Sequence, residues 1–437
     1  MIDHTTRYAK AVEFLFSLQW FGTKLGLENT TRLASLVGNP HEGLKFIHVA
    51  GTNGKGSTCA MLESIYREQG LRVGLFTSPH LISFCERIQV NRVQIPEEKV
   101  VELCDKLKPA LASFAPQQHP TFFEVVTIMA LLYFEEQKCE IVVWETGMGG
   151  RLDATNIVTP MACILTNIQY DHQKWLGNSL SEIAFEKAGI LKPGVPAFTA
   201  AEGEGLQTVS SEAERIKSPL DCIDIQSARL LLKPFLISLP LHGSHQVLNA
   251  GLAVLAAQRL RSQIPVSNES IKAGLARVSW PGRFQVIHRG SQKIILDGAH
   301  NPAGSQSLVK TFREDFPGEK ATLILGVLKD KDYLEMAQIL APMADRIICC
   351  PVNSPRSASP AEVISGLLAS TPHSGISFDT AKNLADSLRI AAEAPLVVVT
   401  GSLFFIGEAM EFLSGLGSTF SNERGLNEWN AANHPSR

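Results

Sequence analysis

Residues 51–58, which read GTNGKGST, are the part of the chain whose residue types and spacing point most directly to chemistry. They follow the apolar run 46–50, which predicts a buried strand, and they precede a predicted helix from Cys59 to Gln69. Glycines between a strand and a helix let backbone N–H groups face an anion, which the helix N-terminus also attracts. We therefore predict a phosphate-binding loop with these candidate ligands: Gly54, Lys55, Gly56, Ser57 and Thr58.

Within this loop the lysine and the hydroxyls have separate predicted roles. Lys55 can reach the outer phosphates of a nucleotide, and a hydroxyl such as that of Ser57 can bind Mg²⁺. The match to the common pattern G-x-x-x-x-G-K-[ST] is imperfect, because Gly51 and Gly54 stand too close together and one residue separates Lys55 from Ser57. The alternative is an ordinary strand-to-helix turn that is rich in small residues.

Single polar residues follow three further predicted strands. The strands and the residues after them are 72–77 with Ser78, 141–144 with Glu145, and 162–165 with His172. In a parallel sheet the carboxyl ends of the strands meet at one edge, where ligands bind. A carboxylate there commonly holds the metal that bridges phosphate oxygens. We therefore predict Ser78, Glu145 and His172, together with Ser57, as Mg²⁺ ligands or as holders of its waters.

Each of these residues also has a simpler explanation. Ser78 precedes Pro79 and would shape a turn, whereas Glu145 would cap a helix or pair with a cation. His172 would be a hydrogen-bonded surface histidine. Lys187, beside Glu186 on a predicted helix, is the kind of residue that usually lies on a solvated face, so the residue pattern alone assigns it no role.

A second acid and histidine follow a strand late in the chain. Asp297 and His300 come after the predicted strand 293–296, where the acid could bind ribose hydroxyls and the histidine could contact substrate. The competing explanation is a turn in which Asp297 and Asn301 cap the next helix. Arg283, close to a predicted linker, is suited to contact a phosphate.

The elements that must position these residues predict an α/β protein. Strands alternate with helices, which indicates an N-terminal P-loop domain with a doubly wound, mostly parallel sheet and a smaller, Rossmann-like C-terminal α/β domain. We predict domains at 1–282 and 283–414 and a disordered polar tail at 415–437. Between residues 203 and 240 the pattern is less regular, and short strands are expected near Asp221–Ile225 and Arg229–Leu232.

Composition narrows the class of protein. Of 437 residues, 45% are hydrophobic and 19% charged, as in globular proteins, and the formal net charge of −3 argues against broad nucleic-acid binding. The N-terminus lacks the apolar core of a signal peptide, and no apolar run approaches the length of a membrane span. The eight cysteines form no C-x-x-C pair and are expected to be reduced thiols. A cytoplasmic protein without nucleic-acid or membrane partners is predicted.

Four motifs, taken in order, resemble the folylpolyglutamate synthase/dihydrofolate synthase family of the Mur ligase superfamily. They are GTNGKGS at 51–57, TSPHL at 77–81, ETGMGGRLDATN at 145–156 and DGAHNP at 297–302. The resemblance runs from about Tyr8 to Leu413 and accounts for the unusual phosphate loop. It implies a monomeric ligase that uses ATP to join L-glutamate to dihydropteroate, to reduced folates or to both, through an acyl phosphate.

The resemblance also implies roles for individual residues. Two Mg²⁺ ions would be held by Ser57, Ser78, Glu145, His172 and Lys187, the last of these as the carbamylated lysine of the family. Lys55 and His300 would act near the reacting groups. Asn249, Arg283 and Asp297 would contact the nucleotide from the second domain. The pterin-bearing substrate would lie against Thr121, Phe122, Phe123, Glu124, Leu152, Asp153 and Ala154.

Two departures and two rival functions stand beside this resemblance. Cys85 lies where a polar or aromatic residue is expected, and residues 401–407 vary slightly from the family pattern, which bears on how the pterin is held. One rival is a Mur-type ligase that adds amino acids to a UDP-sugar peptide, although no separate UDP-binding domain precedes Gly51. The other is a nucleotide-binding switch or transport ATPase without ligase activity.

Overall fold

The computed structural model describes residues 4–22, 26–370, 375–415 and 423–428. Its residues form two compact units. The first falls within Met1–Pro240, Val247–Val278 and Gly425–Arg437, and the second within Leu241–Gln246 and Ser279–Arg424. Each unit is built on its own sheet.

The first unit contains eight strands and eleven α-helices in the described part of the chain. The strands are β1 (Phe46–Ala50), β2 (Val73–Phe76), β3 (Ile88–Val90), β4 (Val93–Gln94), β5 (Ile141–Glu145), β6 (Ala162–Leu165), β7 (Ala197–Thr199) and β8 (Leu220–Cys222). The helices are α1 (His4–Ser17), α2 (Glu28–Leu36), α3 (Lys55–Glu68), α4 (Glu97–Leu111), α5 (Phe122–Glu136), α6 (Gln173–Leu176), α7 (Leu180–Ala188), α8 (Gly203–Ile216), α9 (Ile225–Leu232), α10 (Ser244–Arg259) and α11 (Asn268–Arg277). Helix α10 enters this unit at Val247.

The sheet of the first unit has the order β4-β3-β2-β5-β1-β6-β7-β8. Strands β2, β5, β1, β6, β7 and β8 are parallel, and β3 and β4 form an antiparallel edge. Every residue of β1 and β5 is buried, because helices cover both faces of the sheet. Helices α1, α4, α5, α7 and α8 pack on the face that carries Phe46, Trp144, Cys163 and Leu165, and α3 packs against β1, β2 and β5. The predicted doubly wound, mostly parallel sheet is confirmed.

The register brings the chemistry-bearing strand ends together. Val49 in β1 is paired with Glu145 in β5, and Ala50 is paired with Leu165 in β6. Phe76, the last residue of β2, is paired with Trp144. The loops after β1, β2, β5 and β6 therefore leave the same edge of the sheet.

The second unit is a smaller α/β layer structure. Its strands are β9 (Gln285–Arg289), β10 (Gln292–Asp297), β11 (Ala321–Leu325), β12 (Ala344–Cys349), β13 (Ser377–Thr380) and β14 (Leu396–Thr400). Its helices are α12 (Pro302–Asp315), α13 (Tyr333–Leu340), α14 (Pro360–Ser370), α15 (Leu384–Ile390) and α16 (Leu403–Leu413). The strand order is β13-β12-β11-β14-β10-β9, with β9 alone antiparallel, so the predicted second α/β domain is confirmed as a fold class.

The prediction of a strand at Arg229–Leu232 is wrong, because these residues form the last turn of helix α9. The Asp224 side chain accepts a hydrogen bond from Ser227 N at 2.8 Å and so caps that helix. The strand expected at Asp221–Ile225 is limited to β8, which ends at Cys222. Leucine and arginine have high helix propensity, and the Asp224 N-cap stabilises the first turn of α9. Together they explain why this segment is a helix and not a strand.

Part of the predicted disordered tail is ordered. Residues Glu423–Asn427 form a 3-10 helix, in which Leu426 and Asn427 are buried, so disorder is the wrong prediction for residues 423–428. The burial of Leu426 in the core of the first unit provides the physical reason. The remaining tail residues, 416–422 and 429–437, lie outside the described residues.

The eight cysteines are free thiols, and seven of them are buried. Cys222, in β8, is the exposed one. Burial raises the pKa of Cys104, Cys163 and Cys349 to about 12. In the part of the chain that the structure describes, no helix is long and apolar enough to cross a membrane.

Helix α11 packs unusually close to α3, the helix that follows the phosphate loop. A Cβ atom at Gly274 would lie 2.5 Å from the Cα of Ile65, and Ser64 Oγ donates a hydrogen bond to Gly274 O at 2.8 Å. The contact is therefore between two backbones, and neither can yield as a flexible side chain could.

We expect Gly274→Ala to destabilise the first unit by about 1–3 kcal/mol, because the methyl group overpacks this contact. Differential scanning calorimetry would measure it as a lower unfolding midpoint. Lys272→Ala, on an exposed position of the same helix, is the matched control and should change stability by less than about 0.5 kcal/mol. An unchanged midpoint for Gly274→Ala would show that α11 can shift away from α3.

Candidate active site

The phosphate loop joins β1 directly to α3. Helix α3 begins at Lys55, so the predicted start at Cys59 is four residues late and Gly56 and Ser57 lie in its first turn. Gly54 has φ +86°, and a Cβ there would lie 2.5 Å from Asn249 Oδ1. Gly51 has φ +144°, and a Cβ there would collide with Thr166 Oγ1. Both positions therefore require glycine for conformation and for space.

The loop is held against the end of β6 by polar residues that the sequence reasoning missed. Asn167 accepts hydrogen bonds from Thr52 N through its carbonyl at 2.9 Å and from Asn53 N through Oδ1 at 2.8 Å. Thr166 Oγ1 donates to Asn53 O at 2.6 Å. These bonds fix the loop before any ligand arrives. The available signal was the polar pair Thr166-Asn167 directly after an apolar strand.

Lys55 lies over its own loop. Its Nζ donates to the carbonyls of Gly51 and Thr52, both at 3.2 Å. The amine is thus held at the mouth of the loop, where the predicted phosphate-binding role requires a positive charge.

Lys187 is buried beside the same loop, which differs from the solvated position that its sequence neighbours indicate. Its side chain is only 4% exposed, and Nζ donates to Gly51 O at 2.8 Å. Burial, and then the charge of Lys55, lower the pKa of Lys187 to about 7, while Asp171 and Asp153 act in the opposite direction. A large fraction of this amine is therefore neutral near pH 7.

The predicted metal carboxylate and its neighbour are in contact. Glu145 ends β5, is 3% exposed and accepts a hydrogen bond from Ser78 N through Oε2 at 3.0 Å. His172 precedes α6 with φ +53°, and its Nε2 lies 3.9 Å from Asp171 Oδ2. The His172 side chain is one-third exposed. The structure thus places Glu145 at the end of its strand and Ser78 and His172 in the loops that follow theirs, whereas the metal-binding role of all three stays a prediction.

The oxygen atoms around the loop suit Mg²⁺. Thr58 Oγ1 and Thr146 Oγ1 are buried and make no hydrogen bond in the described part of the chain; one follows the phosphate loop and the other follows Glu145. Nowhere in residues 4–22, 26–370, 375–415 and 423–428 do three acidic, histidine or cysteine side chains cluster for a metal. Mg²⁺ commonly binds through one or two protein oxygens together with phosphates and waters, so these residues fit it.

The residues predicted to contact the pterin have defined structural contacts. Thr121 and Glu124 cap α5 reciprocally: Thr121 N donates to Glu124 Oε2 at 2.7 Å, and Glu124 N to Thr121 Oγ1 at 3.4 Å. A Cβ atom on Gly147 would lie 2.5 Å from Cζ of Phe123, so the Phe123 ring packs directly on the loop after Glu145. Phe122 is buried under the guanidinium of Arg87, 5.3 Å from its ring centroid.

Asp153 is fully engaged within the protein. Its carboxylate accepts from Met148 N at 2.8 Å, Thr155 N at 3.0 Å and Thr155 Oγ1 at 2.5 Å. Because Thr155 donates to Asp153, it accepts from His48 Nε2 at 2.9 Å, which assigns the proton of this neutral histidine to Nε2. Burial lowers the pKa of His48 to about 3. Asp153 therefore holds the loop around Met148 in place. Of its two sequence neighbours, Ala154 is buried and Leu152 is half-buried.

In the second unit, three predicted site residues, Arg283, Asp297 and His300, come together around the end of β10. Asp297 accepts from Phe284 N at 2.8 Å and Ala299 N at 2.9 Å, and His300 Nδ1 lies 2.8 Å from Gly298 O. A Cβ on Gly298 would lie 2.5 Å from Arg283 Nη1. Burial raises the pKa of Asp297, whereas the Arg283 charge and the two N–H donors act against that shift.

The alternative explanation, that Asp297 and Asn301 both cap the next helix, holds for Asn301 alone. Asn301 caps α12 by accepting from Gly304 N at 2.8 Å, whereas Asp297 orders the turn before it. Asn249 is wrongly predicted to belong to the second domain: helix α10 belongs to the first unit from Val247 onwards, so Asn249 lies in that unit, against Gly54.

Comparisons with known proteins agree with this geometry. The family model "Mur ligase middle domain" matches residues 49–201, and "Mur ligase, glutamate ligase domain" matches residues 282–403. A dihydrofolate synthase/folylpolyglutamate synthase of Bacillus subtilis is 35% identical over 431 residues, which cover 92% of this chain and 98% of that protein.

Two solved structures have the same fold. Folylpolyglutamate synthase from Thermotoga maritima matches with a TM-score of 0.81 at 32% identity, over 96% of this chain and 100% of that one. The bifunctional folylpolyglutamate synthase/dihydrofolate synthase from Yersinia pestis, complexed with AMPPNP and a Mn ion, has a TM-score of 0.82 at 29% identity, over 95% and 100% of the two chains. With two Mur ligase domains and a relative this similar over nearly its full length, the chain belongs to the folylpolyglutamate synthase/dihydrofolate synthase family of Mur ligases.

Proposed function

We propose that this protein uses ATP to join L-glutamate to dihydropteroate, to reduced folates or to both. The observation that carries the proposal is the phosphate loop with two lysines on one carbonyl, Lys55 and Lys187 on Gly51, within the motif order of this family. A loop with this charge suits the transfer of a phosphoryl group between anions.

The proposed chemistry has two steps. A carboxylate oxygen of the folate substrate attacks the γ-phosphorus of ATP, and ADP leaves, which gives an acyl phosphate. The amine of glutamate then attacks the carbonyl carbon, phosphate leaves, and the amine loses a proton. Lys55 and the N–H groups at the start of α3 stabilise charge on the transferred phosphoryl group. Mg²⁺, when bound, supplies further positive charge for the phosphate oxygens.

The predicted ligands divide into three groups. Two Mg²⁺ ions would be held by Ser57, Ser78, Glu145, His172 and a carbamylated Lys187. The nucleotide would contact Gly54, Lys55, Gly56, Ser57, Thr58, Asn249, Arg283 and Asp297, with His300 near the reacting groups. The pterin would lie against Thr121, Phe122, Phe123, Glu124, Leu152, Asp153 and Ala154, where one aromatic ring, that of Phe122 or of Phe123, would stack on it. The hydrogen bond from Met148 N to Asp153 supports a role for Asp153 in shaping the loop around Met148, which follows Glu145.

Carbamylation of Lys187 is supported by its surroundings. The reaction joins the neutral amine to CO₂ and releases one proton, which leaves an anion; from the protonated lysine a second proton is released, so that a cation becomes an anion. Lys187 is buried, shares an acceptor with Lys55 and has a pKa lowered by burial to about 7, so its neutral form is available. The resulting carboxylate would remove the repulsion from Lys55 and add an oxygen ligand for a metal.

We further propose a monomer that works in the cytoplasm without nucleic-acid or membrane partners. The free thiols support a reducing compartment, and the substrates proposed here are small molecules.

The first prediction concerns the reaction itself. ADP release should rise strongly when glutamate and either dihydropteroate or tetrahydrofolate are supplied together with ATP and Mg²⁺, because the pteroate or folate carboxylate is needed to form the acyl phosphate and glutamate is needed to consume it. A coupled ADP assay with parallel wells measures this. Turnover only with a UDP-sugar peptide would support a Mur-type cell-wall ligase instead. ATP hydrolysis that ignores every acceptor would support the non-ligase ATPase.

The second prediction isolates the phosphate loop. Gly54→Ala should weaken ADP and ATP binding at least about tenfold, because its methyl group would displace Asn249 from the loop. Gly70→Ala is the matched control: Gly70 has φ +89° at the other end of the same helical segment, and nothing lies within 4 Å of its Cβ position. Isothermal titration should therefore give Gly70→Ala the affinity of the unaltered protein. Equal losses in both variants would contradict a local role for Gly54.

The third prediction concerns Lys187. With ¹³C-labelled bicarbonate and trapping of the carbamate as an ester, peptide mapping should place the label on Lys187 and find none in Lys187→Arg. Because the folded pKa is lowered to about 7, the neutral amine, and hence the label, should be roughly tenfold more abundant at pH 8 than at pH 6. Labelling of exposed lysines to the same extent, or none at position 187, would contradict the proposal.

A further inference from the structure

Residues 425–428, close to the end of the sequence, pack into the first unit beside the loop that carries Ser78. Gln19 Nε2 donates to Gly425 O at 2.9 Å and to Glu428 O at 3.2 Å. A Cβ on Gly425 would lie 2.9 Å from the Phe16 ring, and Leu426 is 2% exposed in the core. These contacts hold the segment in one place, and they direct the side chain of Asn427 inwards, where it is 4% exposed.

Asn427 closes a ring of hydrogen bonds with Arg87 and His80. Its Oδ1 accepts from Arg87 Nη2 at 2.5 Å, and its Nδ2 donates to His80 O at 3.0 Å. Arg87 Nε donates in turn to His80 Nδ1 at 2.9 Å, so that ring nitrogen is the acceptor. A carboxamide is suited to this position, because it offers one acceptor and one donor to two different groups.

The ring of hydrogen bonds touches the region proposed for the pterin-bearing substrate. The Arg87 guanidinium lies 5.3 Å from the centroid of the Phe122 ring. His80 is two residues beyond Ser78, whose N–H donates to Glu145. Arg87 is itself 3% exposed, so it supports this region from behind and has little surface with which to touch a ligand.

We propose that Asn427 is a positioning residue of the folate-substrate site, which holds Arg87 and His80 and thereby the Phe122 side of that site. Burial lowers the pKa of Arg87 to about 10, whereas Glu86 and Glu145 act to raise it, so the guanidinium is charged at neutral pH. A buried charge that loses an acceptor must find another one or move toward water. Without Asn427, Arg87 would therefore leave Phe122 and disturb the loop from Ser78 to His80.

The inference rests on the proposed function, since it assigns a role within the folate-substrate site. The test uses the full chain with Asn427→Leu, which keeps the size but removes both hydrogen bonds, and Asn427→Asp, which keeps an acceptor for Arg87. We expect Asn427→Leu to raise the KM for the pteroate or folate substrate about tenfold, with the KM for ATP changed less than about twofold. Asn427→Asp should recover most of this loss.

Gln19→Leu is the matched control. It removes the two bonds that hold the backbone of the same segment but leaves the bonds of Arg87 intact. It should lower the unfolding midpoint without raising the KM for the folate substrate. A KM that rises equally in Gln19→Leu and Asn427→Leu would overturn the assignment, as would an Asn427→Leu variant whose KM values are unchanged or all raised alike.

The unaltered protein separates this inference from the proposed function. If it fails to join glutamate to any pteroate or folate, the proposed function fails and the inference fails with it. If it is active and the Asn427 variants behave like the control, only the inference fails.

Discussion

The site depends on one carbonyl oxygen, that of Gly51, which accepts hydrogen bonds from two lysine side chains. Two amines on one acceptor repel each other when both are protonated, and one of them lies in a buried position with a lowered pKa. This repulsion falls when one amine is neutral, when it is converted to an anion or when an anion binds beside it, and the carboxylates of Asp171 and Asp153 already offset part of it. The geometry of the loop thus favours negative charge at this position.

The backbone around this carbonyl is correspondingly rigid. Gly51 and Gly54 adopt conformations and approaches that other residues cannot, and Thr166 and Asn167 bind the loop from the next strand. Strand β1 lies in the centre of the sheet, with β5 and β6 on either side, so the loop is positioned by the most buried part of the first unit. Such preorganisation lets hydrogen-bond donors act on developing charge without rearranging.

Much of the fold follows from hydrophobic patterning, but side-chain burial does not. The alternation of strands and helices predicts both sheets, and the strand ends predict which loops meet. The predicted solvated face for Lys187 shows the limit. Ile183, Ala184, Lys187 and Ala188 are buried together on α7, and the helical period from Ile183 puts Lys187 on that face. The charged neighbour Glu186 suggested a solvated face, and so the burial of Lys187 was not predicted. The strand expected at Arg229–Leu232 failed because a cap outweighed a short apolar run, and no local pattern indicates that Asn427 meets Arg87, 340 residues away in sequence.

The burial of the cysteines has a practical consequence for work on this protein. Seven thiols are inside the fold, so a thiol reagent or a mild oxidant meets one accessible sulfur, that of Cys222 on edge strand β8. Thiolates are the reactive form, and high thiol pKa values slow the buried positions further. The folded chain therefore offers one natural attachment point for a fluorophore or a surface linker, far along the sheet from the central strand that carries the phosphate loop.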